Sequence, residues 1–251
     1  MKTILYIFLF LFSFSALAQE YNKTDAQGKK QGVWKKYHEN GMMRYVGKFK
    51  DDKPIGIFKY YYDTGEMQVE LTYTNGASYA KVYFESGALK AQGKYVNQKK
   101  DSTWTYFDEV GNKRAIENYS NGKKDKLWTT YYPNGKIAEE KTWKEDFEHG
   151  PWKQYFTSGK KKLTATYENG GLEGKAAYFR DTGTRAVLGT FYHGVREGEW
   201  KYYDTDGQTV IKVEKYRKGF RVDKNKKEDV EDPNDLEIIP EDQLFNKFPP
   251  R

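Results

Sequence analysis

The sequence of 251 residues contains no cysteine and only 7 prolines, 4 methionines and 3 histidines. The lack of cysteine excludes disulfide bonds, thiolate metal ligands and a cysteine nucleophile. It also excludes the lipid-bearing cysteine that a bacterial lipoprotein needs after its leader. The mean hydropathy is -0.97, which is too hydrophilic for a polytopic membrane protein.

Aromatic residues, in contrast, are abundant. The chain has 22 Tyr, 15 Phe and 6 Trp, and these make up 17% of the chain against 37% for all hydrophobic residues. Disorder throughout is excluded because disordered chains are poor in aromatic residues. A composition rich in aromatics and glycine favours many short strands and turns over a thick globular core.

Residues 1–18 have the features of a secretory signal. Lys2 provides the positive start, residues 4–14 the apolar segment, and Ala16-Leu17-Ala18 a small-x-small cleavage site. A single membrane anchor is the alternative, but the apolar stretch is shorter than the roughly 20 residues of a spanning helix. We therefore expect a mature chain that begins at Gln19 and has no transmembrane segment after cleavage.

The rest of the chain repeats one unit eight times. Each unit, numbered 1 to 8 below, contains a short strand-like segment that closes with a glycine: Gly41, Gly65, Gly87, Gly111, Gly135, Gly159, Gly183 and Gly207. These glycines are 24 residues apart, except that Gly65 and Gly87 are 22 apart.

Three aromatic positions keep the same register. An aromatic stands four residues before each glycine: Tyr37, Tyr61, Tyr83, Phe107, Tyr131, Tyr155, Phe179 and Tyr203. Seven before it stands Trp or Phe, with Ala80 and Ala176 as exceptions: Trp34, Phe58, Trp104, Trp128, Trp152 and Trp200. Another aromatic comes eight after it, but Tyr216 is nine after Gly207.

This pattern predicts one β-hairpin per unit. Asn40-Gly41 and Asn134-Gly135 are dipeptides that tolerate positive φ in tight turns. In the incoming strand, before the glycine, the residues seven and four before it fall on opposite faces, so both faces are apolar unless a bulge intervenes. A lone hairpin is marginal in water, and stacked hairpins form a solenoid, here a twisted single sheet roughly 75 Å long at 4.8 Å per strand.

A unit of the form G-x-W-x-x-Y-x-x-x-G, followed by an aromatic and an N-G turn, resembles the MORN repeat variant of exported bacterial proteins. Gly150, Trp152, Tyr155 and Gly159 show it most clearly. The resemblance covers about residues 32–219 and implies a scaffold for protein or membrane association. Some bacterial members are labelled antitoxins, which fits poorly with an export signal.

Several units depart from this pattern. Unit 3 is two residues short and opens at Ser78, and Ser102 and Lys126 replace the opening glycine of units 4 and 5. We expect a bulge or a change in sheet curvature near residues 76–80, or simple tolerance of the shorter unit.

The residues indicate no enzyme and no cofactor. His38, His149 and His193 lie in different units without ligand spacing, and we expect His38 and His193 to be solvated turn residues. No nucleophile elbow or phosphate loop occurs in the sequence.

The aromatic rows are the candidates for binding. We expect the tryptophan row to form the core. The alternative is a partly open row that binds sugar rings or an extended peptide. Its candidate residues are Tyr131, Tyr155, Phe179 and Tyr203.

The net charge of the chain is a second indication of the kind of partner that it binds. The formal net charge is +7, and a basic sheet attracts anionic polysaccharide, lipid headgroups or acidic proteins. Lysines that protect exposed strands from aggregation are the alternative reading. Nucleic acid is not expected as a partner of an exported chain.

The C-terminal segment loses the repeat. Residues 228–251 contain eight acidic and two basic residues, and we expect a mostly disordered tail. Its apolar residues, with Leu244, Phe245 and Phe248 as docking candidates, predict a segment that caps the last hairpin or binds a partner.

We therefore predict four segments: a signal peptide (1–18), a lead-in (19–31), an all-β repeat array (32–220) and the charged tail (221–251). The expected function is a non-enzymatic scaffold for protein–protein interaction at the cell envelope, periplasmic or extracellular and not a lipoprotein. The alternatives are a polysaccharide- or lipid-surface-binding module and an antitoxin-like protein binder.

Overall fold

The computed structural model describes residues 20–222, and they form one open, twisted sheet of 20 antiparallel strands. The strands are β1 (Lys23–Thr24), β2 (Lys30–Tyr37), β3 (Met43–Lys50), β4 (Lys53–Tyr61), β5 (Met67–Thr74), β6 (Ala77–Tyr83), β7 (Leu89–Val96), β8 (Lys99–Phe107), β9 (Lys113–Ser120), β10 (Lys123–Lys124), β11 (Lys126–Tyr131), β12 (Ile137–Lys144), β13 (Phe147–Tyr155), β14 (Lys161–Glu168), β15 (Gly171–Leu172), β16 (Gly174–Phe179), β17 (Arg185–Tyr192), β18 (Val195–Tyr203), β19 (Val210–Arg217) and β20 (Phe220–Arg221).

Spatial order follows chain order. Each strand pairs with the strand before it and the strand after it. Strands β10 and β11 both pair with β9 and together take the place of one strand that is interrupted, and β15 and β16 do the same beside β14. The predicted solenoid of stacked hairpins is thereby confirmed.

Each closing glycine completes the same turn. Gly41 N–H donates to His38 O at 3.0 Å, and His38 N–H donates to Met42 O at 2.8 Å. Gly41 has φ of +82°, which costs glycine little, and the register shifts by one residue beside it. This is a hairpin turn with a glycine bulge. In unit 8, Asp204 N–H donates to Thr209 O instead, so one extra turn residue accounts for the displaced Tyr216.

The incoming strands contain a second irregularity that the sequence did not reveal. Asp101 pairs with Lys94 and Thr105 with Gln92, so three residues of β8 lie opposite Gly93 alone. This two-residue bulge begins at the opening position of the unit, which has positive φ in seven units. Those residues are Gly32, Gly56, Ser102, Lys126, Gly150, Gly174 and Gly198.

Unit 3 is the exception, and it corrects an expectation. The pairing of β5 with β6 runs without interruption from Val69↔Val82 to Thr74↔Ala77. The prediction of a bulge near residues 76–80 is therefore wrong, because the bulge is present in units 2, 4, 6 and 8 and absent from unit 3. The two missing residues account for the spacing of 22.

The core is a line of rings on one face of the sheet. Trp34 meets Phe49 at 6.0 Å, Phe49 meets Phe58 at 5.0 Å, and Phe58 meets Tyr73 at 5.3 Å, all edge to face. The tryptophan row therefore contacts aromatics of the outgoing strands, those after the closing glycine, which lie between its members. Phe58, Trp104 and Trp200 are at most 2% exposed.

Candidate ligand groove

The two aromatic rows of the incoming strand lie on opposite faces. Trp152 Nε1 donates to Glu139 at 2.6 Å, whereas the Tyr155 hydroxyl donates to Glu140 at 2.6 Å. Because Glu139 and Glu140 are neighbours in β12, their side chains point to opposite faces. We call the side of Trp152 the aromatic face and the side of Tyr155 the reverse face.

The candidate row on the reverse face is mostly engaged within the protein. Tyr131, Tyr155 and Phe179 are half-buried, and Tyr203 is 7% exposed. Burial and the hydrogen bond to Glu140 raise the pKa of Tyr155 to about 12. Equivalent residues lie two strands apart, about 10 Å, so the intervening strand separates these four rings. The row offers no continuous stacking surface.

Cations lie over the rings of the aromatic face. Lys100 Nζ is 4.9 Å from the Trp104 ring centroid and Lys124 Nζ is 4.7 Å from that of Trp128. Arg196 lies 4.4 Å from the Trp200 centroid. All three occupy the position four residues before the tryptophan, and part of the positive charge therefore serves cation–π contacts within the sheet.

Units 4 and 8 also contain a half-buried carboxylate beside two tyrosines. The hydroxyls of Tyr202 and Tyr216 donate to Glu214 at 2.6 and 2.9 Å. Burial raises the pKa of Glu214, but hydrogen bonds from Lys212, Tyr202 and Tyr216 outweigh it and hold the pKa at about 2. In unit 4, Tyr119 donates to Glu117 at 2.8 Å.

Unit 2 has the same tyrosines without the charges. Tyr60 and Tyr73 correspond to Tyr106 and Tyr119, but Leu71 stands where unit 4 has Glu117. Pro54 likewise stands where units 4 and 8 have Lys100 and Arg196.

A groove of about 660 Å³ opens on the aromatic face at this place. The line of rings is interrupted at Ala80, so no ring connects Tyr73 with Tyr95. The walls come from strands β4 to β7 and consist mainly of Tyr60, Leu71, Tyr73, Ala80, Val82 and Tyr95. The turn residues Asn97 and Gln98 add amide groups at the rim.

The groove contains no charged side chain. None of its fifteen lining residues is Lys, Arg, Asp, Glu or His, although charged residues make up 31% of the chain. Burial raises the pKa of Tyr60, Tyr73 and Tyr95 above the ordinary value. None of these three hydroxyls donates to another of the described residues, unlike those of Tyr119 and Tyr216.

The second alanine of the tryptophan row leaves no comparable opening. Ala176 is 1% exposed and belongs to a cluster with Leu163 and Tyr178, which are 0% and 5% exposed. Larger neighbours fill the gap in unit 7. The Ala80 exception was visible in the sequence, but the groove also needs Leu71 and Pro54 from the preceding unit, and that combination was missed.

The histidines take structural or isolated positions. His38 Nε2 lies 3.0 Å from Tyr61 O and the side chain is half-buried, so the expectation of a solvated residue is wrong for it. Tyr62 and Tyr132 make the equivalent contacts to Tyr83 O and Tyr155 O. These bonds join neighbouring units. His193 is 76% exposed at its side chain. Within residues 20–222, no group of three or more acidic or histidine residues is placed to hold a metal ion.

The docking candidates Leu244, Phe245 and Phe248, and the proposed signal peptide, lie outside the described residues. In the part that is described, no helix has the length and apolar character required to cross a membrane.

Comparisons with known proteins agree with the repeat pattern. The model of the MORN repeat variant matches residues 30–51, 54–75, 124–145, 148–169 and 196–216. These segments lie in units 1, 2, 5, 6 and 8. Comparison with curated proteins gave no match.

Among solved structures, a point mutant of S. aureus TarM in complex with Fondaparinux, alpha-GlcNAc-glycerol and UDP matches with a TM-score of 0.31. The identity is 9%, over 42% of this chain and 21% of TarM. A second structure of TarM matches with a TM-score of 0.29 and 11% identity, over 39% and 19% of the two chains. The chain therefore spans about a fifth of the TarM chains. On its hairpin units and the five matched segments, the chain is a MORN-repeat protein of the variant type.

Proposed function

We propose that this chain is an exported, non-enzymatic scaffold of the cell envelope that binds a protein partner at the C-terminal edge of its sheet. MORN repeats are generally modules for interaction with proteins or membranes. The observation that carries the proposal is the contrast between the two edges of the sheet.

The lead-in covers the N-terminal edge. Strand β1 pairs with the start of β2, and Asn22 N–H donates to Val33 O at 2.9 Å. The Asn22 side chain then accepts from Lys35 N–H at 2.8 Å. The outer backbone groups of β2 are satisfied over much of its length, as is typical of protected edges.

Among residues 20–222, only a short segment covers the C-terminal edge. Strand β20 pairs with Tyr216 and Arg217, and Val222 N–H donates to Lys215 O at 2.7 Å. The backbone C=O of Lys215 therefore points to the outer side of β19. Because this direction alternates along a strand, the backbone groups of Val213 and Ile211 point to the same outer side. Neither has a strand on its outer side within residues 20–222.

Apolar side chains accompany this open edge. Ile211 is 56% exposed, Val213 51% and Val210 44%. An extended segment with alternating apolar residues fits such an edge, since strand addition supplies backbone hydrogen bonds and side-chain contacts together.

Cross-linking mass spectrometry on envelope fractions tests the proposal. We expect cross-links between a partner and residues 210–222, their loss in Val213→Lys, and their retention in Val110→Lys, whose side chain is 82% exposed in a turn. Cross-links that persist in Val213→Lys would contradict the proposed edge. Cross-links from the chain's own residues 244–248 to β19 in the isolated protein would assign the edge to the tail.

Export is a separate part of the proposal and rests on residues 1–18. N-terminal sequencing of the protein from a native host is expected to start at Gln19. An intact Met1 in a cytoplasmic fraction would remove the export claim without affecting the edge.

A further inference from the structure

We propose that the groove of units 2 and 3 is a binding site for a neutral saccharide. This site is independent of the C-terminal edge and lies in the N-terminal half of the array. It also differs from the reverse-face row that includes Tyr131 and Tyr155.

Three features of the groove identify this ligand class. The rings of Tyr60, Tyr73 and Tyr95 supply apolar surface for the C–H faces of sugar rings. Their hydroxyls, with the amides of Asn97 and Gln98, supply donors and acceptors for sugar hydroxyls. A volume of about 660 Å³ falls in the ordinary range of small-molecule sites.

The charge pattern excludes an ionic ligand at this place. The positively charged position of units 4 and 8 is Pro54 here, and the negatively charged one is Leu71. An anionic saccharide or a lipid headgroup would enter without a cation from the lining residues, and burying an unpaired charge is costly. The net positive charge of the chain therefore does not define the ligand of this groove.

The unused tyrosine hydroxyls favour a saccharide over an apolar peptide. An apolar side chain in the groove would bury hydroxyls that have no hydrogen-bond partner among residues 20–222, and each unsatisfied group opposes binding. A ligand with many hydroxyls of its own satisfies them.

The repeat itself supplies the variants for the test. Leu71→Glu places a carboxylate where units 4 and 8 already hold Glu117 and Glu214, so the unit has a precedent for that residue. The carboxylate is expected to accept from Tyr60 and Tyr73, as Glu214 accepts from Tyr202 and Tyr216. The double variant Tyr60→Phe/Tyr73→Phe removes two hydroxyls that donate no hydrogen bond within the described part of the chain, and it is expected to remain folded.

Isothermal titration of the chain beginning at Gln19 uses neutral gluco-oligosaccharides of one to six sugars and uronic acid oligomers of equal length. We expect binding of the neutral series, and at least about a tenfold loss of affinity in both variants, as removal of groups worth about 1.4 kcal/mol would give. The control Tyr131→Phe is expected to bind like the unchanged chain. A rise in affinity with chain length indicates a polymer as the source of the ligand, and a plateau at one or two sugars indicates a free sugar.

Four results would overturn the proposal. The first is that no neutral oligosaccharide binds at millimolar concentration, and the second is that the uronic acid series binds more tightly than the neutral series. The third is an unchanged affinity in both groove variants while they remain folded, and the fourth is a loss of sugar affinity in the control Tyr131→Phe. Binding of an apolar peptide without binding of sugar would assign the groove to a peptide ligand instead.

Discussion

Gly93 shows at the scale of one residue how this sheet builds a core from rings. The Trp104 ring lies where a β-carbon of Gly93 would be, and Gly47 and Gly189 lie in the same way beneath Phe58 and Trp200. Glycine is needed at these positions for the close approach of a ring to the backbone, and not for its φ.

The first prediction concerns this contact. Gly93→Ala is expected to lower the free energy of unfolding by about 1–3 kcal/mol, because the added carbon overlaps a ring that is 2% exposed. Gly171→Ala is the matched control, since its β-carbon would meet neighbours only at 3.5 Å or more. Chemical denaturation measures both, and equal destabilisation would contradict the account.

The second prediction concerns Glu214. Its folded-state pKa of about 2 lies below the ordinary value of 4.5 for a glutamate, so its contribution to stability is present above pH 4.5 and is lost as the pH falls toward 2. The side chain is 10% exposed. Glu214→Gln is expected to cost on the order of 2 kcal/mol at pH 7.

The difference in unfolding free energy between the unchanged chain and Glu214→Gln should shrink over that pH window. Acid titration of both proteins by circular dichroism measures it. A difference that stays constant from pH 7 to pH 2 would show that Glu214 contributes through its shape and not its charge.

At the scale of the element, the two-residue bulge decides where the aromatic side chain lies. Ser102 and Lys126 adopt φ of +58° and +60° at the bulge, where five other units have glycine. Side chains with a β-carbon pay for this conformation. Ser78, in the unit without the bulge, has no positive φ.

The third prediction follows from this difference. Lys126→Gly is expected to stabilise the protein by about 1 kcal/mol through relief of backbone strain. Ser78→Gly is expected to destabilise it by roughly 0.5–1 kcal/mol, because a strand residue gains backbone freedom in the unfolded chain. Thermal unfolding distinguishes the two signs, and stabilisation by both substitutions would contradict the assigned bulge.

Most features of the strands and turns can be predicted from the sequence. The closing glycines, the hairpins and the displaced Tyr216 follow from the period of 24, since a repeated local pattern must form a repeated local structure. The bulge does not follow, because alternation along a strand says nothing about residues added opposite a single partner. The sequence therefore leaves a bulge, a change in sheet curvature and simple tolerance open for the short unit 3, and its pairing with unit 2 is the regular one.

At the scale of the whole molecule, the units differ more than their common pattern suggests. Each contacts its neighbours alone, so stability is a sum of local terms and one unit can lose its ring without unfolding the others. The groove depends on Pro54 and Leu71 from unit 2 and Ala80 from unit 3. Such a combination across units is invisible when each unit is compared with the consensus of the repeat.

In our proposal, a neutral saccharide binds in the groove where the line of rings is interrupted at Ala80, and not along the aromatic rows. Amide NMR spectra of the chain beginning at Gln19, recorded during titration with a neutral gluco-oligosaccharide, test it most directly. We expect the largest shifts within residues 54–98, at Tyr60, Tyr73 and Tyr95 above all. Shifts centred on Tyr131, Tyr155, Phe179 and Tyr203, or an unchanged spectrum at saturating sugar, would contradict it.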